Sequence, residues 1–220
     1  MTPTVSVVIA AFDAERFLAE TLDSVIAQDH PALEIVLVDD GSADATPAVA
    51  QSYGDAVTYV RQENRGLGAA QNLGLSVARG EYVSFVDADD VWLPTKTSRE
   101  LAVLANRPDV DLVFAHVEQF GTATIPDAFR VLPGYSTGTL LLSRPTFDRV
   151  GPFSETVTVG PFLEWYLRAL DLGLRAVVLD DVLMRRRVHE HNMGVRLREQ
   201  QSEYLRILKA AMDRRRSPTD

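Results

Sequence analysis

The chain has 220 residues, of which 46% are hydrophobic, 24% charged and 8% aromatic. This composition fits one globular domain with a sizeable core and excludes collagen-like, low-complexity and wholly disordered chains. The absence of cysteine excludes disulfide scaffolds, thiolate metal sites and cysteine nucleophiles. The net charge is −9, so we expect no nucleic-acid partner.

The basic residues concentrate near the C-terminus, where residues 185–220 carry 10 basic and 5 acidic side chains. This segment predicts either a solvated helix end or a contact with phosphates or anionic lipid. No apolar run reaches about 18 residues, so the sequence predicts no membrane span. Residues 1–4 lack the basic region and cleavage pattern of a secretory signal. We therefore expect a cytoplasmic protein.

The first 90 residues alternate between strand and helix patterns. Apolar and β-branched runs predict strands at 5–10, 34–38, 57–60 and 82–86. The intervening segments carry helical patterns, of which the third, 66–78, ends at Gly80. Near-continuous apolar strands that alternate with helices predict a parallel sheet covered on both faces.

The pattern changes after residue 90. Helices are predicted over 95–105 and 162–172, strands over 110–120, 139–142, 176–179 and 182–188, and a loop over 121–136. The last predicted helix frays after Asp213 and carries apolar residues at helical spacing, namely Leu197, Tyr204, Leu205, Leu208 and Met212. No long linker divides the chain. We expect one domain with a 1–94 half, a 95–194 half and a C-terminal helix and tail over 195–220.

Acidic residues cluster directly after two of the predicted strands. Asp39 and Asp40 follow the second strand, and Asp87, Asp89 and Asp90 follow the fourth. In open parallel sheets, ligands bind beyond the carboxyl ends of the strands. Carboxylates crowded there repel one another unless a cation joins them, and Mg²⁺ and Mn²⁺ bind carboxylates together with phosphate oxygens. An isolated Asp-x-Asp is also common in turns, but the paired clusters favour a divalent cation with a phosphate-bearing ligand.

Four motifs lie in order between residues 5 and 94. They are the run 5–13, the Asp-Asp-Gly-Ser segment 38–46, the Asn- and Gly-bearing stretch 64–74, and the segment 80–90 that ends in Asp-Ala-Asp-Asp. Together they resemble the motifs of family 2 glycosyltransferases, and the rest of the chain matches more loosely. The resemblance implies an α/β chain with a GT-A fold, in which helices flank a mostly parallel Rossmann-like sheet with a smaller acceptor-side half. It also implies inverting transfer of a sugar from a nucleoside-diphosphate sugar to an acceptor hydroxyl.

The resemblance assigns roles to residues on the donor side. Asp39 would accept a hydrogen bond from the imide of the base, which suits a UDP-sugar first and a dTDP-sugar second. Ala11, Phe12 and Asp13 would frame the base and the ribose. Asp40 would contribute to the same site, unless it only caps a turn.

The resemblance also implies a metal and contacts to the diphosphate. Asp87 would hold the ribose or the donor sugar, and Asp89 would bind Mn²⁺ or Mg²⁺. His189 would be a metal ligand or a diphosphate contact, with a hydrogen-bonded structural histidine as the alternative. Arg187 shares a strand face with Arg185 and would neutralise the diphosphate. Asp90 is predicted to cap the following helix.

Two further candidates lie in the third motif. Arg65 would contact the diphosphate in place of a basic residue that many family members carry where this chain has Gln71. Asn72 follows directly and matches the family pattern. Gly66 and Gly68 suggest a dinucleotide-binding loop, but the sixth position of that pattern is not glycine and the motif follows the third strand. They are predicted to permit a tight turn from strand to helix.

Acceptor recognition and the catalytic base are expected in the second half. Glu164 is the only carboxylate between Glu155 and Asp171, so it is the predicted base, with a salt-bridged helix residue as the alternative. An acidic residue that family members often carry near this point is absent at Pro161 and Phe162. Two aromatic side chains, Trp165 and Tyr166, are interpreted as core residues or as a platform for a sugar.

Two other functions remain as alternatives. A non-catalytic nucleotide-sugar-binding module agrees with the absence of an acid at Pro161 and of a base at Gln71. A nucleotidyltransferase would combine a similar sheet with a metal–diphosphate site, but residues 10–15 lack the Gly-rich basic loop that it needs. The acceptor is unknown, and an oligomer is compatible with the sequence.

Overall fold

The computed structural model describes residues 2–122, 125–190, 192 and 202–216. Its first half contains four strands, β1 (Val5–Ala11), β2 (Leu33–Asp39), β3 (Thr58–Arg61) and β4 (Tyr82–Asp87). Three helices connect them in turn, α1 (Leu18–Ile26), α2 (Thr46–Gln51) and α3 (Leu67–Val77). This is the alternation that the sequence predicts.

The second half contains five more strands and four more helices among the described residues. In chain order they are β5 (Val91–Trp92), α4 (Lys96–Asn106), β6 (Leu112–Gly121), β7 (Val131–Pro133), β8 (Leu141–Ser143), α5 (Arg144–Val150), α6 (Pro161–Asp171), β9 (Ala176–Val188) and α7 (Ser202–Arg216). None of these helices is long and apolar enough to cross a bilayer.

All nine strands join one sheet in the order β3-β2-β1-β4-β8-β6-β9-β5, with β7 beside β6. Strands β1 to β4 are parallel to one another, and β6 is parallel to β9. β8 is antiparallel to both β4 and β6, so it joins the two halves into one mixed sheet. The predicted α/β architecture is therefore confirmed, with helices on both faces of this sheet.

Alternation along β1 divides the core into two layers. Val7 and Ile9 pack on one face with Leu18 and Leu22 of α1. Val8 packs on the opposite face, in a cluster that also contains aromatic residues of α5 and α6. All these β1 side chains are buried, as expected for a strand covered on both sides.

Two glycines of α3 allow close packing at opposite ends of the helix. A Cβ at Gly68 would collide with the carbonyl oxygen of Ser154, and one at Gly74 would collide with the Val8 side chain. Gly66 precedes the helix with a φ of +87°, which favours glycine. The predicted strand-to-helix turn is confirmed. Gly68 also brings the first turn of α3 against the segment that leads into α6.

The second half departs from the prediction at several points. The two short strands predicted at 176–179 and 182–188 are one strand, β9, in which the register against β6 shifts near Ala115 and His116. The predicted loop 121–136 contains β7, which pairs with β6. The sequence analysis missed β5 and α5. β5 has two residues and α5 has seven, so neither is long enough for a periodic pattern.

Contrary to the prediction, the C-terminal helix does not fray after Asp213. α7 continues to Arg216 because Arg214 and Arg215 pair with Asp171 of α6 at N···O distances of 3.2 and 2.7 Å. The buried side chains are Ile207 and Ala211. The predicted apolar residues Tyr204, Leu205, Leu208 and Met212 are exposed, and Leu197 lies outside the described residues.

A buried ion pair anchors α4 beneath the sheet. Lys96 Nζ lies 2.7 Å from Glu100 Oε2 and 3.2 Å from Ser84 Oγ, and both charged side chains are fully buried. Trp92 covers the ammonium group at 4.1 Å from the ring centroid. Glu100 Oε1 has no hydrogen-bond partner among the described residues. Burial raises the pKa of Glu100 to about 7, and burial lowers the pKa of Lys96.

Lys96→Met is expected to destabilise the fold in a pH-dependent way, because it leaves the Glu100 carboxylate buried without a cation. The loss in unfolding free energy should be about 3–5 kcal/mol at pH 8. It should be smaller at pH 5, because burial holds the pKa of Glu100 above its ordinary value of 4.5, so the folded state can keep this carboxyl protonated and neutral. The stability of the variant then falls as the pH rises above about 4.5, and it falls beyond pH 7 as well, because Lys96, which lowers the Glu100 pKa in the parent protein, is absent. Urea unfolding at the two pH values measures this difference.

The double variant Lys96→Met/Glu100→Leu is the control, because it removes both charges. It should recover much of the stability at pH 8, since a buried ion pair is often replaced by apolar residues at little cost. A double variant that is as unstable as the single variant, with no pH dependence in either, would contradict the buried-charge explanation.

Candidate donor and metal site

The candidate site lies where the strand order reverses. β2 and β3 extend to one side of β1, whereas β4 lies on the other side, so a crevice opens between the carboxyl ends of β1 and β4. Ala10 is the register partner of Asp87, and Ala11 is the partner of Asp39. The topology therefore brings the ends of the first, second and fourth motifs to one edge of the sheet.

Three carboxylates converge at this edge. One oxygen from each of Asp87, Asp89 and Asp90 lies within 4.8 Å of the others, as a metal site requires. Burial, followed by the charge of Asp89, raises the pKa of Asp87 to about 6. Burial and the charges of Asp87 and Asp89 raise the pKa of Asp90 well above its ordinary value. No described residue donates a hydrogen bond to the Asp87 carboxylate, so its charge is the least compensated of the three.

The other two carboxylates have donors from β9 and the residues after it. Asp89 Oδ2 lies 2.9 Å from His189 Nε2 and accepts a hydrogen bond from Asn192 Nδ2 at 3.0 Å. The predicted pair Asp89 and His189 is thus in direct contact across 100 residues of sequence. Asp90 is buried and accepts a hydrogen bond from the backbone N–H of Arg187 at 2.8 Å. The prediction that Asp90 caps a helix is wrong, because α4 begins only at Lys96 and Asp90 ties the cluster to β9.

Asp39 is fully buried, and its carboxylate already accepts three hydrogen bonds. Oδ1 accepts from the backbone N–H of Ser42 at 2.8 Å, and Oδ2 accepts from Tyr59 at 2.8 Å and from Arg61 at 2.7 Å. Arg61 also donates to the carbonyl oxygen of Ser42. Burial and the bond to Asp39 raise the pKa of Tyr59, so the phenol remains a donor.

Tyr59 and Arg61 were missed in the sequence analysis. They lie two residues apart on β3, so their side chains share one face, and Arg61 is the register partner of Asp39. The sequence did contain a signal for them. Tyr59 and Arg61 are alternate residues of a predicted strand that neighbours the strand ending in Asp39. The half-exposed Arg61 side chain borders the place where Asp39 was predicted to meet the base.

Asp40 fastens the loop between β3 and α3. Its carboxylate accepts hydrogen bonds from Gln62 Nε2 and from the backbone N–H groups of Arg65 and Gly66, at 2.7 to 2.8 Å. It is buried, and these bonds occupy both of its oxygens. Asp40 therefore fixes the conformation of this loop, which lies 22 to 26 residues further along the chain, rather than capping a local turn.

Asp13 connects the loop after β1 to the loop after β2. Its backbone N–H donates to Ser42 Oγ at 3.0 Å, and its Oδ1 accepts from the N–H of Ala43 at 2.8 Å. These bonds hold Asp13 at a φ of +48°, a conformation that is uncommon for residues other than glycine. The neighbouring Phe12 remains 41% exposed, so its ring is available to a ligand at this edge.

The predicted donor contacts Arg65 and Asn72 both reach Glu155. Arg65 lies 2.8 Å from one Glu155 oxygen, and Asn72 Nδ2 lies 3.1 Å from the other. Asn72 also exchanges two hydrogen bonds with the backbone of Phe153. Asn72 thus holds the segment before α6 against α3, while Arg65 remains largely exposed at the start of the helix.

Arg187 is enclosed rather than open to a ligand. Its guanidinium lies 4.6 Å from the Phe17 ring centroid and 4.4 Å from that of Phe120, and it donates to Glu20 and to the carbonyl oxygen of Asp89. Only 14% of its side chain is exposed. It therefore supports the loop that carries Asp89 and packs beside His189, whose ring lies 4.9 Å from Phe17.

Glu164 lies in the first turn of α6 and is engaged in an ion pair. Both of its oxygens accept from Arg168 Nε, at 2.9 and 3.1 Å. Arg168 is held in turn by the carbonyl oxygens of Val150 and Pro152. The start of α6 packs near Gly68 in the first turn of α3.

The two aromatic candidates of α6 have different surroundings. Trp165 is fully buried among Phe147, Phe153 and Phe162, and its indole N–H donates to a carbonyl oxygen, so it is a core residue. Tyr166 is half-buried and packs against Phe162 and Tyr135. Tyr135 is 54% exposed, which leaves an aromatic surface between the loop before β8 and α6.

Comparison with known sequences identifies related chains. The family model described as glycosyl transferase family 2 matches residues 6–154, more than half of the chain. An uncharacterised glycosyltransferase of Rickettsia typhi is 29% identical over 209 residues, which cover 86% of this chain and 65% of the relative. One from Nostoc sp. is 40% identical over 118 residues, which cover 52% of this chain and 36% of the relative. The chain thus spans less than two thirds of the length of each.

Solved structures with the same fold include two glycosyltransferases. The mannosyltransferase PcManGT of Pyrobaculum calidifontis, in complex with GDP-Man and Mn²⁺, has a TM-score of 0.76 and 23% identity, covering 97% of this chain and 65% of that one. S. aureus TarS 1–349, in complex with UDP-GlcNAc, has a TM-score of 0.70 and 23% identity, covering 86% of this chain and 60% of that one. At these identities the likeness shows the GT-A fold alone. Together with the match over residues 6–154, it confirms the resemblance in the four motifs: the chain belongs to glycosyl transferase family 2.

Proposed function

We propose that this glycosyltransferase moves a sugar from a nucleoside-diphosphate sugar to an acceptor hydroxyl, with inversion at the anomeric carbon and with Mn²⁺ or Mg²⁺ at the acidic cluster. The observation that carries the proposal is the convergence of Asp87, Asp89 and Asp90 within 4.8 Å at the switch point of the sheet. Such an arrangement is electrostatically unfavourable without a cation, and a diphosphate supplies the oxygens that complete the coordination of these metals.

The side chains at the cluster fit a hard divalent cation. Carboxylate oxygens are the ligands that Mg²⁺ and Mn²⁺ prefer, and imidazole is also accepted by transition metals. Asp89 and His189 would hold the ion, and Asn192 and Arg187 fix the loop that presents them. When bound, the ion would act as a Lewis acid that stabilises the charge of the departing nucleoside diphosphate. Asp87, whose carboxylate has no described donor, is then free to bind hydroxyl groups of the ribose or the sugar.

Uracil is our first choice for the base of the donor, and thymine is the second. Asp39 is oriented by Tyr59 and Arg61, and a carboxylate has room for about four hydrogen bonds, of which three are made. Its remaining acceptor position suits the imide N–H of either base, which would reach this buried carboxylate if the half-exposed Arg61 side chain moves aside. Phe12 offers an exposed ring to the base or ribose on the adjacent loop. The TarS complex with UDP-GlcNAc supports this choice, whereas the PcManGT complex with GDP-Man makes guanosine the competing base.

Glu164 remains the proposed base that removes the proton from the acceptor hydroxyl. Its position one turn into α6, next to α3, supports this role. The ion pair with Arg168 keeps the carboxylate in one orientation, although it also leaves both carboxylate oxygens engaged with a guanidinium. The same ion pair favours the second candidate function, a module that binds nucleotide sugars without transferring them. Donor hydrolysis separates the two, because a binding module leaves the donor intact.

Asp89→Asn should abolish the Mn²⁺-dependent part of donor binding while the fold is retained. The amide keeps the shape of the side chain but lacks the negative charge that a divalent cation needs. We expect the rise in melting temperature on adding UDP with Mn²⁺ to fall to the level seen with UDP alone. Stabilisation by a ligand at 100 times its Kd amounts to about 2.7 kcal/mol, which a thermal scan detects readily.

Asp181→Asn is the matched control for this experiment. Asp181 is an acidic residue of β9 that pairs with Arg99 through a largely exposed contact, away from the cluster. It should leave the Mn²⁺ dependence unchanged. If the Asp89 variant keeps the full response to Mn²⁺, Asp89 is not a metal ligand. If GDP stabilises the parent protein and neither UDP nor dTDP does, the proposed base is wrong.

Glu164→Gln should reduce sugar transfer by about 10²- to 10⁴-fold and leave donor affinity nearly unchanged. Glutamine keeps the length of the side chain and can still accept from Arg168, but it cannot take a proton. Such a split between kcat and donor binding would place the loss in the transition state. Transfer rates and donor Kd are measured on the same preparation.

Glu155→Gln is the comparison, because Glu155 is another carboxylate that contacts the start of α3 and is half-exposed. Loss of transfer in the Glu155 variant alone would move the role of base from Glu164 to Glu155. A parent protein that binds donor but neither transfers nor hydrolyses it would instead support the binding module.

A further inference from the structure

Exposed apolar side chains concentrate on one part of the protein surface. Among the residues that the structure describes, eleven large hydrophobic side chains are exposed, and six of them lie on α7 or at the end of α6. Single exposed leucines are ordinary, whereas a group of them marks a surface that something covers. We call this surface the α6–α7 face, and its six apolar residues are Leu170, Leu172, Tyr204, Leu205, Leu208 and Met212.

Helix α7 is apolar on two sides. Ile207 is buried beside Gly160 at the start of α6, so this side of the helix faces the protein. Leu205, Leu208 and Met212 recur at spacings of three and four residues, which aligns them in a second, outer stripe. Their side chains are 43% to 71% exposed. Because packing against α6 uses only the first side, the outer stripe is available for another contact.

Basic side chains border the outer stripe on both sides. Lys209 lies four residues after Leu205 and three before Met212, so it stands next to both on the helix surface. It is exposed, and no described residue forms an ion pair with its ammonium group. Arg215 lies three residues after Met212, on the other side of the stripe, and its side chain is half-exposed.

The end of the α6–α7 face opens into a positively charged cavity. Leu170 and Leu172 line this cavity of about 590 Å³ together with four arginines. Among the described residues that line it, only Asp171 is acidic, and positive charge is in excess even when Glu164, which pairs with one of the arginines, is included. Such an excess favours phosphate, because guanidinium matches phosphate oxygens in a bidentate manner. The four arginines are Arg149, Arg168, Arg214 and Arg215.

The charge of this end of the chain is opposite to that of the rest. Residues 185–220 carry 10 basic and 5 acidic side chains, whereas residues 1–184 carry 12 basic and 26 acidic ones. An anionic surface repels the acidic part and attracts the basic end, which contains α7. It would therefore orient the protein with the α6–α7 face toward it.

We propose that the α6–α7 face docks on the surface of an anionic lipid membrane. The outer stripe of α7 enters the boundary between headgroups and acyl chains, while Lys209 and Arg215 keep their charges at the level of the lipid phosphates. The arginine-lined cavity receives a headgroup phosphate beside the stripe. This docking is independent of the proposed function, because it uses none of the residues assigned to the donor or the metal.

A second copy of the chain fits this face less well than a lipid surface does. In a two-fold symmetric dimer, the same surface of each copy contacts its equivalent. Basic residues border the stripe on both sides, so such an interface would bring like charges together. Lipid phosphates supply the opposite charge.

The test is sedimentation of the protein with vesicles of phosphatidylcholine alone and with vesicles of equal parts phosphatidylcholine and phosphatidylglycerol. The parent protein should bind the anionic vesicles, and added salt should weaken this binding by screening the phosphates. Leu205→Ser/Leu208→Ser should lower the partition coefficient by about 10- to 100-fold, because the stripe loses apolar surface to bury. Lys209→Gln should lower it by about fivefold. All three side chains are exposed, so the fold should be retained.

Ile26→Ser and Arg107→Gln are the matched controls. Ile26 is exposed at the end of α1, and Arg107 is half-exposed directly after α4. Both helices pack on the face of the sheet opposite to α6. These variants should bind the anionic vesicles as the parent protein does.

A parent protein that does not bind anionic vesicles, or that binds both kinds of vesicle equally, overturns the proposal. A leucine double variant that binds like the parent protein also overturns it. So does a dimer in light scattering that the double variant converts to a monomer, because the face then belongs to a second copy. Stabilisation by UDP with Mn²⁺ should be the same in all these variants, so a failure on vesicles leaves the proposed function standing.

Discussion

The structure depends on the repulsion among carboxylates at one edge of the sheet. β2 and β4 both end in aspartates, and the parallel arrangement around β1 brings these ends together. Each carboxylate is compensated by a different part of the chain: Asp39 by β3, Asp40 by the loop before α3, and Asp89 and Asp90 by β9 and Asn192. The exception is Asp87, which has no donor among the described residues. The remaining charge supports the proposal that this edge binds a cation together with an anionic ligand.

This compensation explains why the second half of the chain is needed to form a site whose aspartates all lie in the first half. β9 runs across the front of the cluster, paired with β5 directly after Asp90. Its C-terminal end supplies a backbone N–H to Asp90, and His189 directly after it contacts Asp89. The buried pair of Lys96 and Glu100 anchors the helix that follows the cluster. The two halves of the chain are thus coupled through hydrogen bonds and charges at the acidic cluster.

The sequence predicted most of this edge because its signals were local. A buried strand followed by Asp-Asp or Asp-Ala-Asp-Asp is visible in the sequence, and the order of the motifs indicated the family and the fold. The missing information depended on pairing between distant segments. Arg61 opposite Asp39 requires the register of β2 and β3, and the enclosure of Arg187 requires knowing which face of β9 meets Phe120. On α7, helical spacing identified an apolar stripe but not which side of the helix would be covered.

The central claim is that this edge binds a nucleoside diphosphate through a divalent cation. The most direct measurement is a crystal of the protein with UDP and Mn²⁺, with diffraction data collected at the manganese absorption edge. The account predicts one anomalous peak bonded to an Asp89 oxygen and to the diphosphate, with the base beside Asp39 and Phe12. A nucleotide bound elsewhere, or bound at this edge with no manganese on Asp89, would contradict it.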